Sequence, residues 1–177
     1  MDTPEWARQL LEFIRHNQLW AIPIVFVLSF AESLAFVALL VPATVILWGV
    51  GGMIGVAGLD FWPIWLAAAM GAALGDWLSY WLGFHYHEQI ARMWPLSKYP
   101  DLMPKAKAFF HKWGAPGVFI GRFFGPLRAA VPLVAGAAEM PRIPFQIANW
   151  TSAFVWATVT LAPGAVGIEV IKKYMGW

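Results

Sequence analysis

Apolar residues run through this chain in blocks too long for a soluble core, with few polar positions to give them a sided period. Residues 19–59 hold a single charge, Glu32, over a length able to cross a bilayer nearly twice. Pro42 stands in the middle of that block, and Gly49, Gly51, Gly52, Gly55 and Gly58 crowd its second half. Proline removes a helix hydrogen bond and glycine loosens the backbone, so the block predicts two broken or re-entrant half-helices rather than two clean spans. Residues 61–84 predict a spanning helix with one acid, Asp76, and a run of small residues from Ala67 to Gly75 that suits close helix packing. Residues 113–140 are again apolar, broken by Pro116, Gly125-Pro126 and Pro132, and carry Arg122 and Arg128 in their middle. Residues 143–168 lack any charge and predict a second spanning helix, closed at an interface by Lys172 and Lys173.

Polar positions mark the joints between these blocks. Residues 3–18 predict an interfacial helix: Thr3 can cap it, Pro4 suits its first turn, and Trp6, Leu10, Phe13 and Ile14 fall near helical spacing. Residues 85–112 form the long polar stretch, basic at Arg92, Lys98, Lys105, Lys107 and Lys112, and 105–113 read as a second amphipathic surface helix. The same order thus occurs twice: amphipathic helix, broken apolar hairpin holding charge, spanning helix. Glu32 lies ten residues before Pro42, and Arg122 ten residues before Pro132. If each half crosses the membrane an odd number of times, the halves are inverted, an arrangement that places transporter sites near the midplane. The expected fold is a single all-α integral membrane domain over residues 1–177. It is an inverted repeat of two re-entrant broken-helix hairpins, each followed by a transmembrane helix. Its parts are 1–18 (interfacial helix), 19–84 (first repeat), 85–113 (polar connector with the amphipathic helix) and 114–177 (second repeat).

Composition sharpens this picture. Of 177 residues, 12% are charged and 60% hydrophobic, against about 25% charged in a soluble domain. Twelve tryptophans and thirteen phenylalanines suit membrane interfaces. No cysteine occurs, which removes disulfide, thiolate and cysteine-ligated metal chemistry. The formal net charge of +2 is too small to suggest a nucleic-acid partner. The first residues are polar and mixed in charge, without the apolar core of a signal peptide. The basic middle loop favours the cytoplasmic side, although the hairpins blur the crossing count.

Arg122 and Arg128 carry the candidate chemistry. A charge at a bilayer centre costs about 2.5–3.5 kcal/mol on insertion scales, so two in one segment suggest a site. Guanidinium stays protonated and presents a planar fork of donors matched to phosphate. Six residues apart, the two would stand about 240° around a straight helix, and Gly125-Pro126 between them can turn both toward one cavity. Each arginine reads as a phosphate ligand or as the partner of Glu32 or Asp76; the bland alternative is a snorkelling anchor. Glu32 reads as a proton carrier or as the group that holds Arg122 until phosphate competes, against a static ion pair that docks the hairpin. Asp76 shares those roles. Tyr80 and Asn149 are cavity-lining candidates, equally readable as helix–helix hydrogen bonds. Pro42, Gly125, Pro126 and Pro132 shape the hairpins. His85 and His87 are too few for a metal site, and no nucleophile set or phosphate loop is present. No cofactor and no catalytic residue are expected.

Three blocks resemble the DedA family, whose domain is also called VTT or the SNARE-associated Golgi protein domain. They are FAESLAFVALLVPATV, GAALGDWLSYWLG and FIGRFFGPLRAAVPLVAGAAEMPRIPFQIANW, and the resemblance spans about residues 19–163. The third is the most specific, matching Arg-x-x-x-Pro-x-Arg and the later Ala-Gly, Met, Phe and Asn. Many members carry a second acid twelve residues after the first, where this chain has Thr44. That departure bears on any proton coupling built on paired acids in the first hairpin: either Asp76 substitutes for the second acid or coupling is absent.

The resemblance implies a multi-pass protein of the bacterial inner membrane with two facing re-entrant hairpins. It further implies movement of a phosphate-bearing lipid, such as undecaprenyl phosphate or phosphatidylethanolamine, between leaflets, with a link to proton-motive force and the cell envelope. The expected partner is therefore a membrane phospholipid or polyprenyl phosphate, and the small-residue helix faces permit a homo-oligomer. Three other classes stay open: a structural or regulatory membrane protein whose buried charges hold the fold, a lipid-modifying enzyme, and a small-anion channel.

Overall fold

A computed structural model describes residues 17–34, 43–92, 101–124 and 128–175. Seven helices and no strand occur among the described residues: α1 (Gln18–Ser33), α2 (Ala43–Ala57), α3 (Phe61–His85), α4 (His87–Arg92), α5 (Leu102–Gly121), α6 (Ala130–Ala137) and α7 (Arg142–Met175). The all-α class expected from the sequence is what the chain forms. The predicted interfacial helix at 3–18 lies outside the described residues save for its last two positions, and Pro42, Gly125 and Pro126 lie outside them altogether.

Local chemistry sets several of the boundaries. Gly58 takes a left-handed φ of 67° after α2, which lets the Leu59 N–H return to the Ile54 carbonyl and close the helix end. Pro63 falls in the first turn of α3, where its missing N–H costs nothing. Pro132 falls likewise in the first turn of α6, so it starts that helix rather than breaking it. The predicted surface helix at 105–113 and the first arm of the second hairpin are the two legs of α5, separated by a kink at Gly114, whose φ of 46° and ψ of −127° are not helical. The joint falls where the sequence reading placed it, and glycine supplies it because it adopts a positive φ without strain.

The long helix α3 is the centre of the assembly. It packs on α1, α6 and α7, while α2 and α5 pack on α7. Close backbone approach requires its glycines. A Cβ at Gly71 or Gly75 would collide with the carbonyls of Phe26 or Phe30 in α1, and one at Gly83 with that of Leu133 in α6. Such small-residue seams are how helices associate where lipid supplies no hydrophobic drive between them. The pattern exchanges the two halves. The first arm of each broken stretch (α1, α5) touches the long helix of its own half, and the second arm (α2, α6) the long helix of the other.

Polarity is distributed inside-out. Leu19, Trp20, Val27, Trp48, Trp62 and Ile143 are exposed, while Glu32, Ser33, Asp76, Ser79, Arg122, Asn149 and Ser152 are buried. A lipid solvent selects this distribution. Two apolar clusters flank the buried charges: one joins Val25, Leu47, Ala69 and Leu161, the other Tyr80, Phe110, Ala135 and Phe145.

Residues 61–84 and 143–168 were expected to be spanning helices, yet among the described residues no helix is long and apolar enough to cross a membrane. The physical reason is dilution. Asp76, Ser79 and the glycines lower the apolarity of α3, and α7 mixes Arg142, Gln146, Asn149, Thr151 and Ser152 into its first turns.

Candidate functional site

Two broken helix ends deliver the arginines. Arg122 follows directly on α5, its N–H still donating to the Val118 carbonyl at 3.3 Å. Arg128 stands in the turn that leads into α6. The acids come from other elements: Glu32 from the last turn of α1, and Asp76 from the middle of α3. All four charges are thus held at or beside helix ends or on the central helix, and all are wholly or mostly buried.

Arg122 Nη2 makes a close ion pair with Asp76 Oδ2 and also donates to Asn149 Oδ1 at 3.2 Å. Asn149 Nδ2 in turn donates to the Ala73 carbonyl at 2.9 Å, one turn before Asp76 on α3. That bond fixes the amide so that its oxygen, not its nitrogen, faces the arginine. The same side chain therefore docks α7 on α3 and orients Arg122. Nη1 of Arg122 is buried without a hydrogen-bond partner among the described residues. A buried guanidinium donor in that state is a standing demand for an acceptor.

The second pair is built differently. Arg128 Nη2 lies 2.9 Å from Glu32 Oε1, and the guanidinium carbon sits 4.8 Å from the ring centroid of Trp156. Arg128 Nη2 also reaches the Glu32 carbonyl at 3.5 Å, and Ser79 Oγ donates to the Ser33 carbonyl at 3.3 Å. The last carbonyls of α1 lack helical partners, so these contacts cap a helix end that stops inside the protein. Leu34, extended at φ −79° and ψ 126°, carries the chain away.

The sequence reading left each arginine to pair with Glu32 or Asp76. The structure pairs Arg122 with Asp76 and Arg128 with Glu32. The cause is placement along α3. Its close seam with α1 sets Glu32 beside the start of α6, and Asp76 is left to meet the end of α5. Asn149 joins the Arg122 pair and also ties α7 to α3. Tyr80 does not reach either pair: its hydroxyl donates to the Met140 carbonyl at 2.6 Å and its ring stacks on Phe145 at 4.0 Å. Pro132 is buried behind the site in α6. Trp156 was missed. Its only signal is that it stands seven residues after Asn149, two turns along the same face of α7. Among the described residues, no group of three or more histidine, aspartate or glutamate side chains could hold a metal ion.

An all-helical protein with an apolar exterior and two arginine–carboxylate pairs sealed inside belongs to the class of membrane proteins with an internal ionic site. The VTT domain matches residues 41–166, and the chain belongs to that family, the DedA membrane proteins. Among its relatives, inner membrane protein YabI of Escherichia coli (strain K12) is 36% identical over 156 residues, covering 88% of this chain and 61% of YabI. Inner membrane protein YqjA of the same strain is 30% identical over 146 residues, 80% of this chain and 64% of YqjA. Membrane protein BU139 of Buchnera aphidicola subsp. Acyrthosiphon pisum is 33% identical over 163 residues, 92% of this chain and 64% of its own length. The chain thus spans a little over three fifths of the length of these curated relatives. No solved structure matches it.

Proposed function

We propose that this protein moves a phosphate-bearing lipid between the leaflets of the inner membrane, crossing it several times through two inverted, re-entrant hairpins. The observation that carries the reading is the pair of buried guanidinium groups, each held by a carboxylate, with a donor of Arg122 still unsatisfied. A phosphate offers oxygens to both forks at once and can replace the carboxylates that hold them. Arg128 also stands just ahead of the N-terminal end of α6, which favours an anion. In the empty site Glu32 and Asp76 neutralise the arginines. Protonation of Glu32 frees Arg128, which gives a route to proton coupling even with Thr44 in place of a second hairpin acid. The lipid tails stay in the bilayer while the headgroup passes the site, and no bond of the lipid is made or broken.

The test is translocation of fluorescent undecaprenyl phosphate and phosphatidylethanolamine in proteoliposomes, with and without a pH gradient. Wild-type protein is expected to speed one of them and Arg122→Ala to abolish the gain. Equal rates from correctly folded wild type and variant would sink the reading.

A second reading has its own support, because both ion pairs tie separate helices together and Asn149 completes one of them. In it the charges only hold the fold of a structural or regulatory protein. It predicts that an exchange of charges within a pair, Asp76→Arg with Arg122→Asp, keeps full function, whereas a phosphate site does not survive the exchange.

A further inference from the structure

The bend in α5 opens a groove that the paired charges do not use. Phe109 and Trp113 stand on the leg before Gly114, Ile120 and Phe124 follow on the leg after it, and Val131 of α6 closes one side. The groove is open along one side and its space is about 390 Å³. Gly117 and Gly121 form its floor, one turn apart on the same face. A Cβ at Gly117 would come within 2.9 Å of the Phe109 ring, and one at Gly121 within 2.9 Å of Val131, so both glycines keep the space open. Every lining residue is apolar.

Among the described residues, the basic side chains of α5 lie on the leg before the bend. The leg before the bend carries Lys105, Lys107, His111 and Lys112 on its exposed side. Lys107 is engaged with Glu139 at 2.6 Å. Lys112 lies beside the groove itself, its ammonium 6.0 Å from the centroid of the Trp113 ring that forms the wall. A cation over an aromatic wall, at the mouth of an apolar slot, matches one amphiphile: an anionic head joined to a hydrocarbon chain. Basic amphipathic helices select such lipids at a bilayer surface.

We propose that the α5 groove is a binding site for an anionic phospholipid, with one acyl chain along Gly117 and Gly121 and the headgroup phosphate at Lys112. The site is separate from the buried ion pairs and does not depend on lipid translocation. It anchors the bend of α5, and with it the helix end that carries Arg122, to the membrane surface.

The test uses the whole protein in lipid nanodiscs. A phosphatidylglycerol with a diazirine in one acyl chain, and a phosphatidylcholine with the same chain, are photolysed in turn and the labelled residues mapped by mass spectrometry. Label is expected to concentrate at Trp113, Ile120 and Phe124, about fivefold more from the anionic lipid, as one surface lysine confers. Lys112→Ala, an exposed change that leaves the groove intact, should erase the headgroup preference. Gly117→Leu should lower labelling from both lipids. Label spread evenly over Trp20, Val27 and α5, or equal labelling by the two lipids, overturns the proposal. So does efficient disulfide capture of two copies through Ile120→Cys, since the chain has no other thiol and the groove would then be a protein contact.

Discussion

The two buried ion pairs use the same residue types and are not equivalent. In the Asp76–Arg122 pair both side chains are nearly sealed, 8% and 6% exposed, and Asn149 and Ala73 extend the contact across α3 and α7. In the Glu32–Arg128 pair the arginine is 15% exposed, rests on the face of Trp156 and sits in a turn rather than at a helix end braced by neighbours. In the first pair, Asn149 of α7 hydrogen-bonds both Arg122 and the Ala73 carbonyl of α3. The second joins the end of α1 to the turn before α6 and meets α7 through the face of the Trp156 ring. Buried ion pairs that also satisfy a hydrogen-bond network fix geometry, while those with an exposed edge can exchange partners. The comparison predicts that Asp76 and Asn149 mainly support the fold, and that in the proposed transport cycle Glu32 and Arg128 are the pair that opens.

The largest effect that can break this division is expected at Asp76. Asp76→Ala leaves the Arg122 charge buried without its carboxylate, and removal of one partner from such a pair costs about 3–5 kcal/mol. Thermal unfolding in detergent should show a large drop in midpoint. Glu32→Gln should show a distinctly smaller drop, because Arg128 keeps its edge to solvent and its tryptophan. Equal drops would erase the distinction between the pairs. Translocation in proteoliposomes should rank them the other way for properly folded protein, with Glu32→Gln losing any pH-gradient dependence.

Asn149 comes next. Asn149→Ala removes one of the two acceptors of Arg122 Nη2 and the side-chain donor to the Ala73 carbonyl, which keeps its helix partner within α3; loss of a hydrogen bond to a charged group costs about 1.5–3 kcal/mol. Asn149→Asp sharpens the test: a second carboxylate beside Asp76 should bind Arg122 more tightly and slow transport while the protein stays folded. If Asn149→Asp instead transports at the wild-type rate, Asn149 does not position Arg122. A smaller effect belongs to Trp156. Trp156→Leu keeps an apolar side chain and removes the ring face, a loss of about 0.5–2 kcal/mol in the cation–π contact besides the smaller volume, read as weaker binding of anionic lipid or as a lower unfolding midpoint.

Much of this was legible in the sequence, for a physical reason. A charge inside a long apolar block has few acceptable environments, so Glu32, Asp76, Arg122 and Arg128 announced themselves by depth alone. Helices α3 and α7 were likewise visible as uninterrupted blocks between polar joints. Which acid meets which arginine was not legible. The pairing depends on how α3 slides against α1, and that register is set by Gly71 and Gly75 meeting the Phe26 and Phe30 carbonyls, a contact between positions some 45 residues apart. Equal spacing from Pro42 and Pro132 set Glu32 and Arg122 at matching places in the two halves, but spacing along the chain carries no information about register between helices. Trp156 escaped for another reason: in a chain with twelve tryptophans, one more on an apolar helix looks like packing.

The smallest effect lies at the surface, where an exposed pair contrasts with both buried ones. Lys107 and Glu139 meet at 2.6 Å with both side chains about half exposed, joining α5 to the turn after α6. The hydrogen bond and charge of Lys107 hold the Glu139 carboxyl below its ordinary value. A carboxyl that titrates lower in the folded protein adds stability above the ordinary carboxylate range, and that stability is lost as pH falls through the folded value. Glu139 also holds a left-handed φ of 59°, which glycine adopts without strain. Glu139→Gly therefore trades an ion pair for relaxed backbone. Near neutral pH the two changes oppose each other and the unfolding midpoint should move little. Between neutral pH and the acid range the wild type should lose midpoint faster than the variant, and salt should narrow the gap, since an exposed pair is screened. Identical pH profiles would mean that the pair contributes nothing and that only the buried charges govern how stability follows pH.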